Sequence, residues 1–191
     1  MREHQKNFMR RKTSKEILAE SFRELAETKP VNKITVLDIV ENCGYSSATF
    51  YRQFNDKYDL VAWDYITHCR AIMDKIDDGY TWEQAMTGGC RYLYDQRKYI
   101  INLLRNTSGH ESFFRYMSLA NTEIMTKEIC RNQGSSQITE DLAICVRLFC
   151  YGAVQVLCDW LLGEFEATPE QLSALLIRAL PEPLTSCLCN R

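Results

Sequence analysis

The sequence predicts an all-α fold, and three observations carry that expectation. Apolar residues recur at three- and four-residue spacing along most of the chain. Thr13 with Glu16, Thr35 with Asp38 and Thr168 with Gln171 have the spacing of capping boxes, which mark helix starts. Between Ile34 and Trp63, two short amphipathic segments meet at Gly44 and are followed by a longer helix.

Met1 to Lys12 is a basic stretch carrying Arg2, Lys6, Arg10, Arg11 and Lys12. It reads as a solvated tail, with an arm that touches phosphates as the functional alternative. Thr13 then caps a helix whose stripe is Ile17, Leu18, Phe22 and Leu25; it runs to about Thr28 and stops at Lys29-Pro30. Thr35 caps a second helix with Val36, Ile39, Val40 and Cys43 on one side. Gly44 is expected to close it in the left-handed conformation that other residues enter only at a steric penalty. Ser46 caps a third helix reaching Phe54. Phe50 and Phe54 form its apolar edge; Ser47, Ala48, Thr49, Tyr51 and Arg52 form the other, and a second helix placed this way enters a major groove.

A long helix is expected from Asn55-Asp56, carried by Leu60, Val61, Trp63, Ile66, Ile72, Met73 and Ile76. Residues 82–98 follow, weakened in the middle by Gly88-Gly89, and then a short apolar helix over 99–106. After the turn at 107–109, residues 110–131 read as helix, and 133–136 as a linker. Residues 138–162 are apolar on nearly every side, with a polar line of Glu140, Arg147, Gln155 and Asp159. Such a helix needs cover on two opposite faces, so it demands a partner as well as its own core. Thr168 and Pro169 start a last helix, with Leu172, Leu175, Leu176, Ala179 and Leu180 inward, and Pro181 and Pro183 are expected to end it.

The stretch from Thr13 through Asp59-Leu60 resembles the N-terminal domain of the TetR family of transcription regulators. The resemblance rests on Ile17 and Ala19, Ile34-Thr35-Val36, Asp38-Ile39, Gly44, Ser46 and the run Thr49-Phe50-Tyr51-Arg52-Gln53-Phe54 with Lys57, Asp59 and Leu60. It covers about 50 of 191 residues. It implies a DNA-binding head over 1–55 and a helical regulatory and dimerisation body over 56–191. In the body, Gly109-His110-Glu111-Ser112-Phe113-Phe114-Arg115-Tyr116-Met117 is similar to the branch of dihydroxyacetone-kinase operon regulators, departing at His110 and Glu111. The resemblance further implies a homodimer through 138–162 and 168–180, palindromic double-stranded DNA as partner, and a small-molecule inducer or a protein co-regulator.

Ser47, Ala48 and Thr49 are short and early in the third helix, where base edges are met, and Thr and Ala methyls suit a thymine methyl. Tyr51 and Lys57 match family positions that clamp phosphate. Arg52 is left between solvent, a nearby carboxylate and DNA. Thr35 and Ser46, at two helix starts, complete the expected DNA-facing set. Residues expected to wall an inducer cavity are Trp63, Trp82, Tyr92, Phe113, Phe114, Tyr116 and Tyr151, each with plain core packing as the alternative.

Net charge is −2, yet residues 1–55 carry ten Lys/Arg against seven Asp/Glu, and the remainder 13 against 18. A basic head on an acidic body suits DNA, since the local patch governs electrostatic binding. The first 16 residues lack the apolar core of a secretory signal, and the longest charge-free run, Leu148 to Cys158, is too short to span a bilayer. A cytoplasmic location follows as the expectation. The nine cysteines then read as reduced core thiols rather than disulfides or a redox switch, and Cys187-Leu188-Cys189 as structural or an inert tail rather than a metal or redox pair. No metal spacing involves His4, His68 or His110, and no nucleophile or phosphate-binding motif is present. Neither enzyme activity nor a cofactor or metal is expected.

Overall fold

The computed structural model describes residues 12–76, 78–109 and 112–189, so the basic arm up to Arg11, His4, and His110 with Glu111 lie outside the described residues. Among the described residues the order is α1 (Ser14–Ala26), α2 (Val36–Cys43), α3 (Ser47–Tyr51), α4 (Lys57–Met73), α5 (Trp82–Asp95), α6 (Arg97–Asn106), α7 (Phe113–Gln133), α8 (Glu140–Leu162), α9 (Pro169–Arg178) and α10 (Glu182–Leu188), with no strand. Short 3₁₀ turns precede α2 and follow α4.

The caps form as the spacing requires. Thr13, Thr35 and Thr168 each accept the backbone N–H three residues on, and the side chains of Glu16, Asp38 and Gln171 accept the cap residue's own N–H. Gly44 closes α2 at φ 71°, and the N–H of Tyr45 donates back to Val40 at 2.8 Å. Asp56 caps α4 through Oδ1, which accepts from the N–H groups of Tyr58 and Asp59, both at 2.8 Å. Gly88-Gly89 do not interrupt α5; the break falls at Gln96 instead, where ψ swings to 14° and α6 begins.

The C-terminus departs from expectation. Pro181 and Pro183 do end α9, but they also open α10, because proline lacks only an N–H that the first turn does not need. Leu184 and Leu188 of α10 are buried against α7 and α8, so of the two readings of Cys187-Leu188-Cys189 the structural one fits: it lies at the end of a packed helix. Asn132 and Gln133 of α7 tie it down by donating to the Cys187 carbonyl and Sγ.

A continuous core runs from Leu18, Phe22, Ile39 and Phe50 in the head through Leu60 and Tyr65 to Tyr99, Ile100, Met117 and Trp160 in the body. A second, smaller one gathers Trp82, Met125, Ile129, Val146 and Leu184. Polar fasteners join head to body within the first. Asn102 of α6 accepts the Val31 N–H at 3.1 Å and donates to the carbonyls of Ala26 at 2.7 Å and Lys29 at 2.9 Å. Its side-chain carbonyl also accepts from Asn106. Arg23 of α1 meets the carboxylate of Asp64, which is buried in α4.

By length and composition α8 is the one helix among the described residues apolar enough to cross a bilayer, with 28% of its most apolar stretch buried. Its buried side lies on α7 and α10, while Ile144, Leu148, Val156 and Leu162 are exposed. Gly152, in the same exposed stripe, has open space where a Cβ would stand.

Candidate nucleic-acid interface and body cavity

Two helix starts and one helix side form the outer face of the head. Thr35 is exposed, but its hydroxyl is committed to the α2 cap: it accepts the Asp38 N–H and donates to Asp38 Oδ2 at 2.8 Å. Ser46 accepts the Thr49 N–H, and the two hydroxyls lie 3.1 Å apart. One O–H of that pair is spent on the other, which leaves one donor for an outside acceptor. Ala48, Tyr51 and Arg52 are exposed, whereas Ser47 and Thr49 are half-buried. Tyr51 is 60% accessible with its ring edge-on to Phe50, so its hydroxyl is presented by a braced side chain. Lys15 of α1 lies over the rings of Phe54 and Trp63, a cation–π contact holding α1 to the far end of the motif.

Lys57, expected at a phosphate, lies against the loop before α2 in this structure. Its ammonium donates to the carbonyls of Val31 at 2.9 Å, Asn32 at 3.2 Å and Ile34 at 2.7 Å. The residue therefore gathers the carbonyls of the loop before α2 and sets how that helix is offered. No sequence signal separates this use from a phosphate contact.

Asp38 gathers three donors on this face. Donation from Lys29 at 2.8 Å, then from the Thr35 N–H and hydroxyl, holds its carboxyl well below the ordinary carboxylate range. A depressed folded value stabilises the fold above the unfolded value of about 4 and is lost as pH falls through the folded one. The urea midpoint should therefore drop on acidification below pH of about 4, and Asp38→Asn should flatten that drop. Equal acid slopes for parent and variant would refute the assignment. Asp64 acts with the opposite sign: burial lifts its carboxyl above the ordinary range against the pull of Arg23 and His68, so its contribution is full in acid and fades as pH rises.

Asp64 also belongs to a cluster between head and body. His68 Nδ1 lies 2.8 Å from the Asp64 backbone carbonyl, and Arg23 Nη1 lies 3.3 Å from His68 Nε2. A carbonyl only accepts, so Nδ1 is the donor to it, while the guanidinium lies against the other ring nitrogen. The His68 ring stacks on Tyr92 at 4.8 Å, and burial, then the Asp64 charge, pushes the Tyr92 phenol up.

Tyr92 is at the same time a wall of a cavity of about 100 Å³ between α4, α5, α7 and α8. Trp82 and Tyr92, of the expected aromatic set, line it; Tyr65, Asn121, Phe149 and three cysteines join them. The remaining expected wall residues are elsewhere. Trp63 packs on Phe54, Phe113 meets Tyr65 edge-on, and Phe114 sits on the main core. Tyr116 borders a separate groove beside Asp56 and Asp59, and Tyr151 is half-buried on α8 outside the cavity. Aromatics at helical spacing fill interhelical seams as readily as cavities, so spacing alone does not sort them. Asn102 and Asp64 escaped the sequence reading, and His68 was weighed only as a metal ligand; the available signal was a polar residue inside an otherwise apolar helical run. Among the described residues no group of three metal-ligating side chains is gathered.

A capped helix, a glycine turn and a second helix with an open outer side, carried on an all-α body with a cavity between its helices, define a helix-turn-helix transcription regulator. Residues 17–62 match the family described as "Bacterial regulatory proteins, tetR family", and residues 80–182 match "Transcriptional regulator C-terminal region". The chain belongs to the TetR family.

Over 101 residues it is 23% identical to the "HTH-type dhaKLM operon transcriptional activator DhaS" of Lactococcus lactis subsp. lactis (strain IL1403), covering 53% of this chain and 54% of that protein. The chain thus matches over about half the length of that curated relative. The solved "Dihydroxyacetone kinase operon activator DhaS" superposes with a TM-score of 0.65 at 17% identity, covering 91% of this chain and 97% of the other. The TetR family repressor AlkX from Dietzia sp. strain DQ12-45-1b gives 0.53 at 16% identity, covering 92% and 97%. At these identities the two structures show the shared fold, and the two DhaS proteins carry the operon name of the branch that the sequence resembles.

Proposed function

We propose that the protein is a cytoplasmic, homodimeric repressor that binds a palindromic operator through α3 and is released by a small molecule held in the body. The observation that carries this reading is continuity. Tyr92 is both a cavity wall and the stacking partner of His68, and His68 touches Arg23 of the head. Two heads about a dyad should meet half-sites separated by one helical turn, about 10 base pairs, or a multiple of it. A second reading is an activator or adaptor controlled through a protein partner; its activator part is favoured by the Lactococcus relative, which is named a transcriptional activator. Footprinting decides between them: an operator over the promoter core supports repression, and one upstream of it supports activation.

The DNA reading is tested by selecting duplexes from a random pool and titrating the winner at several salt concentrations. Arg52→Ala should lower the salt slope by about one unit without changing the selected sequence. Thr49→Ala should weaken the cognate site by about 1 kcal/mol and relax one base position. Lys57→Ala should instead lower the stability of the head by about 1–3 kcal/mol, because it strips partners from three carbonyls. A Lys57 variant with full stability and a reduced salt slope would restore it to the phosphate backbone.

A further inference from the structure

The cavity's lining restricts what it can hold. Its residues come from α4, α5, α7, α8 and one leucine of α9, and none is charged. An ion moved there would lose its hydration with no counter-charge, a penalty of several kcal/mol or more. Carboxylates, phosphates and ammonium compounds are therefore poor occupants. At about 100 Å³ the space is below the range of about 300–1,000 Å³ typical of sites for drug-sized ligands, and nearer the cavity of about 150 Å³ that admits benzene.

Polar partners are few. The Asn121 amide already donates to the Tyr65 hydroxyl and the Met117 carbonyl, both at 2.8 Å. The indole N–H of Trp82, a wall residue 5% exposed, is buried with no hydrogen-bond partner among the described residues. A polyol would leave most of its hydroxyls unpaired in this lining. The thiols offer no nucleophile: burial pushes Cys69 up to about 11, Cys90 up to about 12 and Cys150 up to about 11, so each stays protonated near neutral pH.

We propose that the cavity takes a small, neutral, largely apolar molecule, a single ring or a short chain, carrying one hydrogen-bond acceptor that pairs with the Trp82 N–H. This rests on the reading of the body as the sensing part, and it names the chemistry sensed.

The test uses the full chain with four probes at millimolar concentration near neutral pH: phenol, toluene, glycerol and benzoate. Binding is read from the melting midpoint and from ligand-observed NMR, and operator affinity is measured in parallel. Phenol and toluene should bind saturably, and glycerol and benzoate should not compete with them. Trp82→Phe should weaken phenol about fivefold, the worth of one hydrogen bond, and leave toluene unchanged. Gly89, a wall residue with open space where a Cβ would stand, and Ala153 allow the volume to be filled. Gly89→Leu and Ala153→Leu should abolish both bindings while helical content is retained. Binding of benzoate or glycerol in competition with phenol would overturn the proposal. So would the absence of phenol and toluene binding, or a Trp82→Phe variant that holds phenol as tightly as the parent. Phenol bound in the cavity with operator affinity unchanged would uphold the ligand chemistry and remove the inducer reading instead.

Discussion

Leu148→Glu should convert the protein into a folded monomer and lower operator affinity by at least a hundredfold. Leu148 is 72% exposed in the middle of α8, so the substitution removes almost no packing within the chain. In a two-fold dimer built on α8 and α9, the same position would be covered by the partner, with Ile144, Val156 and Leu162 beside it and Leu175 contributed by α9. The new carboxylates would then be buried without counter-charges near the dyad, at several kcal/mol each. Sedimentation should change from about twice the 22.3 kDa chain mass to the chain mass itself, with unchanged helical content. DNA binding falls with it, because one head reaches one half-site. A variant that still sediments as a dimer would move the interface elsewhere on the surface.

Asn102→Leu should destabilise the chain by about 3 kcal/mol, a large change for so conservative a volume. Three backbone groups lose their side-chain partner together: the N–H of Val31 and the carbonyls of Ala26 and Lys29. Val31 itself is 1% exposed, so water is a poor replacement for its partner. Asn102→Asp separates shape from chemistry. The carboxylate keeps an acceptor for Val31 but turns a second oxygen toward two carbonyls, so it should be no better than leucine. Urea denaturation of both variants checks this, and a loss under about 0.5 kcal/mol would show that water replaces the amide at little expense.

The head was legible because its determinants are local. Thr35, Gly44 and Ser46 each act within a few residues of themselves, as does the capping half of Asp38, and the backbone follows them. The opposite case is Lys57, whose partners are 23 to 26 residues upstream. Its geometry depends on how α4 crosses the loop before α2, which no short pattern encodes. The body shows the same division. Thr168-Pro169 announces α9, while α10 was hidden because Pro181 and Pro183 serve equally to stop one helix and start the next. Trp82 and Tyr92 were legible as aromatics; that they, rather than Phe113 or Trp63, face the cavity follows from interhelical packing alone.

The Asn102 fastening bears on how such proteins can be recombined. A boundary at 55/56 looks natural in the chain, but an excised head would carry orphaned groups at Ala26, Lys29 and Val31 and would bare the face of Phe22 that meets Tyr99. A chimera that sets this head on a foreign body inherits the same vacancies unless the new sixth helix offers a carboxamide at the matching turn. With α3 as the proposed reading helix, exchange of specificity is then simplest by rewriting its outer side in place, leaving α1 and its attachment to α6 untouched.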